Sequence, residues 1–506
     1  MRISIRSCMI VLLFGILVLI PACNQTAQIG IPAPEPPQGL ESLSKEIRKP
    51  YLQLFKISPK LRFTDTEINQ MQKYLQKGQD YCVGQFKARA EKYNSEIAED
   101  KSRLKQGKSN GEAGEQHALR CKIKDLELLE SQAKVLAQHA IPVAYKNREA
   151  KLDLIQQWPS ELKKIKKEIA DGSYLHRHWG DVKDIGFRQI APGQKDDIPL
   201  GREEIRRMKE SGMMPPEVKD KAIDNYVNSV AQKVARHSDL HIPLHVTVLN
   251  SREINAFSLP GGYLFVERGL LQATDNESEL AGVLGHEIAH VVCRHGHKLM
   301  KKQMIAGIFY QAAQVAAMVL TGGVAGIGTY YALQYGFYGL GLVMNLKMLG
   351  VSREYELQAD QLGMQYAWNS DYDPQGFIKF FDKMATHEGY INGVSWFHTH
   401  PPFYTRMVDA EREIMFLPRK PHYIVNTTAF MKMKRELKKV TQKSRKKEKN
   451  RPSLEPGKNV QGCAPPRKFE FKSNEPIENL CQSPNLVQAK QTPGKNIYRG
   501  QEGPRP

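Results

Sequence analysis

The chain has 506 residues, a length that allows several folded units, and its seven cysteines are too few for a disulfide scaffold. Its formal net charge of +19 suggests a nucleic-acid partner at first sight, but the charge is unevenly distributed. Residues 432–451 hold 11 Lys or Arg against 2 Glu. A single basic stretch of this kind is typical of a solvated tail, so we expect no nucleic-acid partner.

The first segment has the form of a bacterial signal peptide. Two arginines precede an uncharged apolar run from Met9 to Ala22, and the run ends in Leu-Ile-Pro-Ala-Cys, close to a lipobox. We therefore predict a lipoprotein-type signal peptide over 1–22 and a lipidated Cys23. An uncleaved anchor and a plain secretory signal are the alternatives, and all three place the chain in the cell envelope, facing the periplasm. Asn24 slightly favours the outer membrane.

A helical region precedes the central part of the chain. Residues 23–39 are a Pro-rich spacer, and residues 40–175 are dense in Glu, Lys, Leu, Gln and Ala. Two long helical stretches flank a break at 107–114, which predicts a helical hairpin or short coiled coil. It is either a plain spacer or an arm that docks an envelope assembly partner, and we favour the arm. Residues 176–215 contain Gly and Pro and are predicted to be a linker.

Two short strands follow. Residues 241–250 alternate well enough for a strand, and residues 263–267 form another, with Pro260-Gly261-Gly262 as the turn between extended pieces. An edge strand of this kind can bind an extended peptide through its backbone. The alternative is an ordinary hairpin that only completes the fold.

The His-Glu-Ile-Ala-His sequence at 286–290 is the most informative motif. On a helix, its two histidines share one face and can bind one metal ion, while Glu287 can take a proton from a metal-bound water. Thr274 and Glu277 predict a capping box at the start of this helix. The alternative is an amphipathic helix whose histidines are packed or exposed, and His295, His297 and His398 are expected to be surface side chains.

A third ligand is expected downstream, because catalytic zinc uses three protein ligands. Glu356 and Asp360 lie four residues apart and stack on one helical face, where two carboxylates repel unless a cation is present. Zinc on Glu356, with Asp360 orienting a zinc histidine, would remove that repulsion. The alternative is a solvated acidic face neutralised by Arg353. Before this helix, residues 303–345 carry no charge, which predicts apolar helices over the site, dipping into the bilayer surface or spanning it.

Four motifs in a fixed order resemble those of a known family. They are Asn-Ala-Phe-Ser-Leu-Pro-Gly-Gly at 255–262, His-Glu-Ile-Ala-His at 286–290, the segment 352–360, and His400-Pro401-Pro402 with Arg406. The set resembles the gluzincin zinc metalloendopeptidases of the CAAX prenyl protease and HtpX type, most of all their bacterial periplasmic members. The resemblance covers roughly residues 216–415. It implies an α+β, mostly helical protein whose zincin-like catalytic domain has a small β-sheet edge and follows the helical hairpin.

The resemblance also implies roles for individual residues. One zinc ion per chain would be held by His286, His290 and Glu356. Glu287 would be the general base, Asp360 would support the ligands, and His400 and Arg406 would lie near the substrate carbonyl as oxyanion donors. His400 has a second interpretation, as a fourth zinc ligand that keeps the enzyme latent. The expected substrates are unfolded or misassembled envelope proteins; a noncatalytic chaperone or assembly factor and a dedicated processing peptidase are the alternatives.

The remaining predictions concern the cysteines and the end of the chain. Cys82 with Cys121, and Cys463 with Cys481, are candidate disulfides in an oxidising compartment, and Cys293 is expected to be packed as a small apolar residue. Residues 416–440 are predicted to be a C-terminal extension. Residues 441–506 are rich in Pro, Lys and Asn and are predicted to be a basic, disordered tail that contacts anionic lipid or nothing specific.

Overall fold

The computed structural model describes most of the chain from residue 33 onward, within one unit, Ala33–Pro506. The described residues are 33–35, 38–106, 113–175, 190, 192–210, 214–251, 254–299, 353–386, 404–449, 463, 467–470, 481–482 and 484–488. The predicted signal peptide with Cys23, the apolar segment 303–345, His398 and His400 lie outside them. Among the described residues, no helix combines the length and hydropathy that a bilayer crossing requires.

The predicted helical hairpin is confirmed, and we call residues 40–175 the helical arm. Its helices are α1 (Glu41–Glu46), α2 (Tyr51–Ile57), α3 (Asp65–Gln106), α4 (Ala113–Val135) and α5 (Ile141–Asp171). Met71, Leu75, Cys82 and Phe86 form one buried stripe on α3, because their spacing keeps them on the same face of the helix. Further along α3, Lys101 forms a salt bridge of 2.8 Å with Glu127 on α4.

One buried carboxylate and one ion pair join the arm to the central part of the chain. Asp382 accepts hydrogen bonds from the backbone amides of Tyr51 (2.5 Å) and Leu52 (3.0 Å), which are the first two residues of α2. The carboxylate therefore satisfies amide groups that a helix start leaves without an intrahelical partner. Arg412 and Glu161 add an ion pair of 2.9 Å. The arm is thus packed against the central part of the chain.

A three-stranded sheet forms one wall of the central part. Its strands are β1 (His245–Leu249), β2 (Ala256–Leu259) and β3 (Tyr263–Glu267), in the order β1-β3-β2. β1 pairs with β3 in parallel, and β2 pairs with β3 antiparallel, so β2 is an edge strand. Both predicted strands are confirmed, the first being shorter than expected. Gly261 (φ 84°) and Gly262 (φ 87°) make the turn, in a region that favours glycine.

The other main elements of the central part are helices. They are α6 (Ile198–Glu210), α7 (Lys221–Arg236), α8 (Arg268–Ala273), α9 (Glu277–Val292), α10 (Arg353–Asn369), α11 (Gln375–Thr386), α12 (Tyr404–Phe416) and α13 (Thr428–Lys449). α6 lies within the segment predicted to be a linker, so that prediction was too simple. The described part of the chain is mostly helical with a small sheet, which confirms the α+β fold class.

The start of α9 differs from the prediction. Asn276 is the N-cap, and its side chain accepts a hydrogen bond of 3.0 Å from the amide of Glu279. Glu279 in turn accepts a hydrogen bond of 2.9 Å from the amide of Asp275. The capping pair is therefore Asn276 and Glu279, two residues later than the pair Thr274 and Glu277 that the sequence suggested.

The C-terminal part also corrects two predictions. The stretch predicted to be disordered contains the end of α13 and a two-stranded antiparallel sheet, β4 (Arg467–Glu470) and β5 (Asn485–Gln488). The disulfides join Cys82 to Cys481 and Cys121 to Cys463, so the predicted pairing was wrong. We call the first, which is buried, the inner disulfide and the second, which is half-buried, the outer disulfide. Both tie the C-terminal segment to the helical arm. Cys293, which directly follows α9, is buried, as expected.

Candidate metal centre

Helix α9 brings two imidazoles together in the interior. His286 and His290 lie one turn apart, and their Nε2 atoms are 3.0 Å from each other. His286 is fully buried (0% exposed) because α10 covers this face of α9. The backbones of α9 and α10 can lie this close because two glycines face each other between them. A Cβ atom on Gly285 would lie only 2.6 Å from the carbonyl oxygen of Gly363.

Helix α10 supplies the third donor. Glu356 is buried, and its carboxylate oxygens lie 3.7 Å from Nε2 of His286 and 3.5 Å from Nε2 of His290. A tetrahedral zinc ion with bonds of about 2.0–2.2 Å needs donor atoms roughly 3.3–3.6 Å apart. The carboxylate distances of 3.5 and 3.7 Å lie within or next to this range, and the two Nε2 atoms, at 3.0 Å, lie slightly closer together. Two imidazole nitrogens and one carboxylate are also donor types that zinc prefers.

A second group of possible ligands does not fit a metal in the same way. Among the described residues, His117 lies near Cys121 and Cys463, but those two sulfurs form the outer disulfide. A disulfide sulfur is not a thiolate, and thiolate is the form that binds metal. This leaves the group on α9 and α10 as the candidate metal centre of the described residues.

A buried ion-pair network lies behind the three donors. Asp360 Oδ1 is 2.8 Å from Nδ1 of His286, so the carboxylate can fix the orientation of this ring, as the sequence suggested. Arg406, which is fully buried, donates to both oxygens of Asp360, and its Nη1 lies 3.1 Å from Glu356. Burial alone would lower the pKa of Arg406, but the charges of Asp360 and Glu356 outweigh that effect and raise it.

Arg406 was expected beside the substrate carbonyl. Its guanidinium instead faces the two carboxylates on α10 and lies 4.7 Å from the ring centre of Phe381, with no exposed surface. Such a position suits a residue that holds Glu356 and Asp360 in place, because an unpaired pair of buried carboxylates would be costly. His400, the other expected oxyanion donor, lies outside the described residues.

Glu287, the expected general base, has a partner that the sequence interpretation did not assign to the site. Ser258 on edge strand β2 donates a hydrogen bond of 3.1 Å from its hydroxyl to Oε2 of Glu287, which is buried. Ser258 belongs to the Asn-Ala-Phe-Ser-Leu-Pro-Gly-Gly motif at 255–262, so the signal in the sequence was a hydroxyl-bearing residue within that motif.

His295 was expected at the surface, and this prediction is wrong. The side chain is buried (1% exposed) and stacks on Tyr355, with ring centres 4.4 Å apart. Its Nδ1 lies 2.8 Å from Nδ1 of His290, and its Nε2 lies 2.9 Å from Oε1 of Gln358. Burial lowers the pKa of His295 to about 4, so its imidazole is neutral near pH 7.

The C-terminal end of α9 is held in place by a separate group of side chains. Arg294, at φ 57°, forms two hydrogen bonds of 2.8 and 2.7 Å to the carboxylate of Asp197. His297 lies 2.7 Å from the same carboxylate. Asp197 belongs to the segment predicted to be a linker, so this segment anchors the helix that carries the two histidines.

Comparison with known proteins identifies the central part of the chain. Residues 221–414 match the model of peptidase family M48. These residues are similar to a family M48 peptidase domain, and we call them the M48 domain. The match confirms the resemblance that the four motifs suggested, and the M48 domain contains β1 to β3 and the metal centre on α9 and α10.

Several relatives share this domain. The chain is 30% identical over 250 residues to the beta-barrel assembly-enhancing protease of Yersinia pestis, which covers 48% of each chain. For the protein of the same name from Escherichia coli K12, the identity is 28% over 222 residues, or 42% of this chain and 43% of the relative. The mitochondrial metalloendopeptidase OMA1 of Schizosaccharomyces pombe is 32% identical over 181 residues, 35% of this chain and 48% of the relative. The matched part thus spans about half the length of these relatives.

Proposed function

We propose that this protein is a zinc-dependent metalloendopeptidase. The observation that carries the proposal is the meeting of His286, His290 and Glu356, whose donor atoms lie within 4.8 Å of one another, beside the buried carboxylate of Glu287. The M48 domain and the names of its relatives, which are proteases and metalloendopeptidases, support it.

The side chains divide the chemistry between them. When bound, zinc would polarise a peptide carbonyl and would bring the pKa of a water molecule to about 7. Glu287 would act as the general base towards the attacking water and would return the proton to the leaving amine, a contribution of roughly 10²–10⁴ in rate. Ser258 holds one oxygen of Glu287 through its hydrogen bond. Asp360 orients His286, and Arg406 balances the charge of the carboxylates behind the metal.

Strand β2 supports the choice of substrate. It is one of the two edge strands of the sheet, and Ser258 on it contacts the general base, so a peptide paired with the outer side of β2 would pass close to the metal centre. Pairing of this kind recognises the backbone more than the side chains. We therefore propose extended segments of unfolded or misassembled envelope proteins as substrates.

The location and partners of the protein are part of the proposal. The signal-like segment 1–22 and Cys23 support a lipid-anchored protein that faces the bacterial periplasm, with the outer membrane slightly favoured. The helical arm, which packs on the M48 domain through Asp382 and Arg412, is proposed as the surface for an envelope assembly partner. The name of the bacterial relatives, which refers to β-barrel assembly, agrees with this partner class.

Two variants of the full chain test the proposal. Glu287→Gln should retain zinc and fold but lose casein cleavage by about 10²–10⁴, whereas His290→Ala should lose zinc as well, measured by elemental analysis. Glu354→Gln removes an exposed carboxylate from α10 and serves as the matched control. A noncatalytic assembly factor would retain its cellular effect with Glu287→Gln. A wild-type protein that binds no supplied zinc would overturn the proposal.

The same assays address the alternatives for substrate and regulation. A dedicated processing peptidase would leave casein intact and cleave one envelope protein from a deletion strain, whereas a quality-control protease would cleave many. His400→Ala should raise basal cleavage if this histidine keeps the enzyme latent, and abolish it if the histidine is an oxyanion donor.

A further inference from the structure

The two histidines of the metal centre have different partners behind them. Nδ1 of His286 faces the carboxylate of Asp360 at 2.8 Å, the usual kind of support for a zinc ligand. Nδ1 of His290 faces a third imidazole, that of His295, also at 2.8 Å. At this distance, one of the two Nδ1 atoms carries the proton and the other accepts it.

The contact with Gln358 determines which of the two Nδ1 atoms carries the proton. Nε2 of His295 lies 2.9 Å from Oε1 of Gln358, and this amide oxygen can only accept a hydrogen bond. His295 therefore carries its proton on Nε2, which leaves its Nδ1 without a proton. The Nδ1 of His290 must then be the donor, and the lone pair of His290 is left on Nε2, the atom that faces His286 and Glu356.

The opposite polarity would disable the site. If His295 donated from Nδ1, then Nδ1 of His290 would accept, and a neutral His290 would carry its proton on Nε2. A protonated Nε2 cannot bind a metal ion, because ligation needs the lone pair. The direction of the hydrogen bonds from His290 through His295 to Gln358 is thus the one that metal binding requires.

We propose that His295 and Gln358 are positioning residues that hold His290 in the tautomer and orientation that bind zinc. The inference rests on the proposed function and extends it to two residues that do not touch the metal. Its geometry is fixed by packing: Tyr355 stacks on His295 with an interplanar angle of 9°. Tyr355 and Gln358 both belong to α10, so the helix that supplies Glu356 also holds the imidazole behind His290.

Zinc affinity of the full chain, measured by competition with a chromophoric chelator, tests this proposal. His295→Ala should weaken zinc binding by about 10–100-fold, the usual effect of removing a partner of a zinc histidine. Gln358→Glu keeps a hydrogen-bond acceptor opposite Nε2 of His295, so its zinc affinity should stay within a few-fold of that of the wild type. Gln358→Lys offers only a donor and should weaken binding as His295→Ala does.

Controls separate this proposal from misfolding and from failure of the proposed function. His297→Ala removes a nearby imidazole that contacts Asp197, and it should leave zinc affinity unchanged. Thermal melting of the metal-free proteins shows whether each variant folds. If His295→Ala does not fold, the comparison of the two Gln358 variants still tests the proposal. Wild-type zinc affinity in His295→Ala, or equal affinities of the two Gln358 variants, would overturn the inference. A wild type without zinc affinity would instead overturn the proposed function.

Discussion

The contact between α9 and α10 gives a prediction that can be worked from the structure. A Cβ atom on Gly363 would lie 2.6 Å from the amide nitrogen of His286, and an ordinary contact needs at least about 3.4 Å. Gly363→Ala therefore requires the two helix backbones to separate by roughly 0.8 Å, because neither atom belongs to a flexible side chain. The separation moves Glu356 away from the two histidines.

Two effects follow from this shift. Overpacking of a dense interior costs about 1–3 kcal/mol, so the free energy of unfolding of the metal-free protein should fall by that amount. Zinc sites tolerate ligand shifts of only about 0.2 Å, so Gly363→Ala should also lose zinc affinity and peptidase activity. Urea unfolding measures the first effect and chelator competition measures the second.

Gly84 provides the matched control. It lies within α3, and a Cβ atom there would meet nothing within 4 Å. Gly84→Ala should therefore leave zinc affinity unchanged and stabilise the protein by up to about 1 kcal/mol through helix propensity. Gly363→Ala with wild-type stability and wild-type zinc affinity would refute the reasoning, since the helices would then not be in the close contact described.

Three further predictions concern other parts of the molecule. Ser258→Ala should lower kcat by up to about tenfold, because one hydrogen bond of about 0.5–1.5 kcal/mol to the general base is lost, while zinc content stays the same. Burial raises the pKa of Glu267 from 4.5 to about 7, so the folded protein favours its protonated form and loses stability as the pH rises from about 5 to 7. Glu267→Gln should reduce that loss in urea unfolding at each pH. Mild reductant should open the outer disulfide before the inner one, because only the outer is half-exposed, as alkylation and mass spectrometry would detect.

Each of these has an outcome that contradicts it. Ser258→Thr keeps a hydroxyl and should retain most of the activity, so an equal loss in both serine variants would point to packing instead of the hydrogen bond. A parallel decline of stability in wild type and Glu267→Gln would show that this carboxyl does not titrate between pH 5 and 7. Simultaneous alkylation of all four disulfide cysteines would show that burial does not protect the inner disulfide.

The sequence predicted those features that depend on local spacing. His286 and His290 share a helix face, and Glu356 and Asp360 share another, so the periodicity of a helix was enough to predict each pair. The family resemblance then predicted that the two helices meet, which the distances around Glu356 bear out. The strands at 245–249 and 263–267 were visible as alternating residues bounded by a turn.

Features that depend on distant parts of the chain were missed or wrong. His295 was assigned to the surface because its burial depends on Tyr355 and Gln358, which lie about sixty residues later on α10. The cysteine pairs were matched to near neighbours, although four cysteines allow three connectivities and sequence alone does not choose among them. The C-terminal strands were assigned to a disordered tail because their composition is polar, and their order depends on contacts with the arm such as Arg467 with Asp125.

The two disulfides span the M48 domain, with sequence separations of 399 and 342 residues between the bonded cysteines. A peptide bond broken anywhere between residues 121 and 463, whether by a contaminant or by self-digestion, would therefore not release a fragment. The two halves would run as one species on a gel without reductant and separate only after the bridges are opened. A preparation of this protein that looks intact can thus already be nicked, and its integrity has to be judged under reducing conditions.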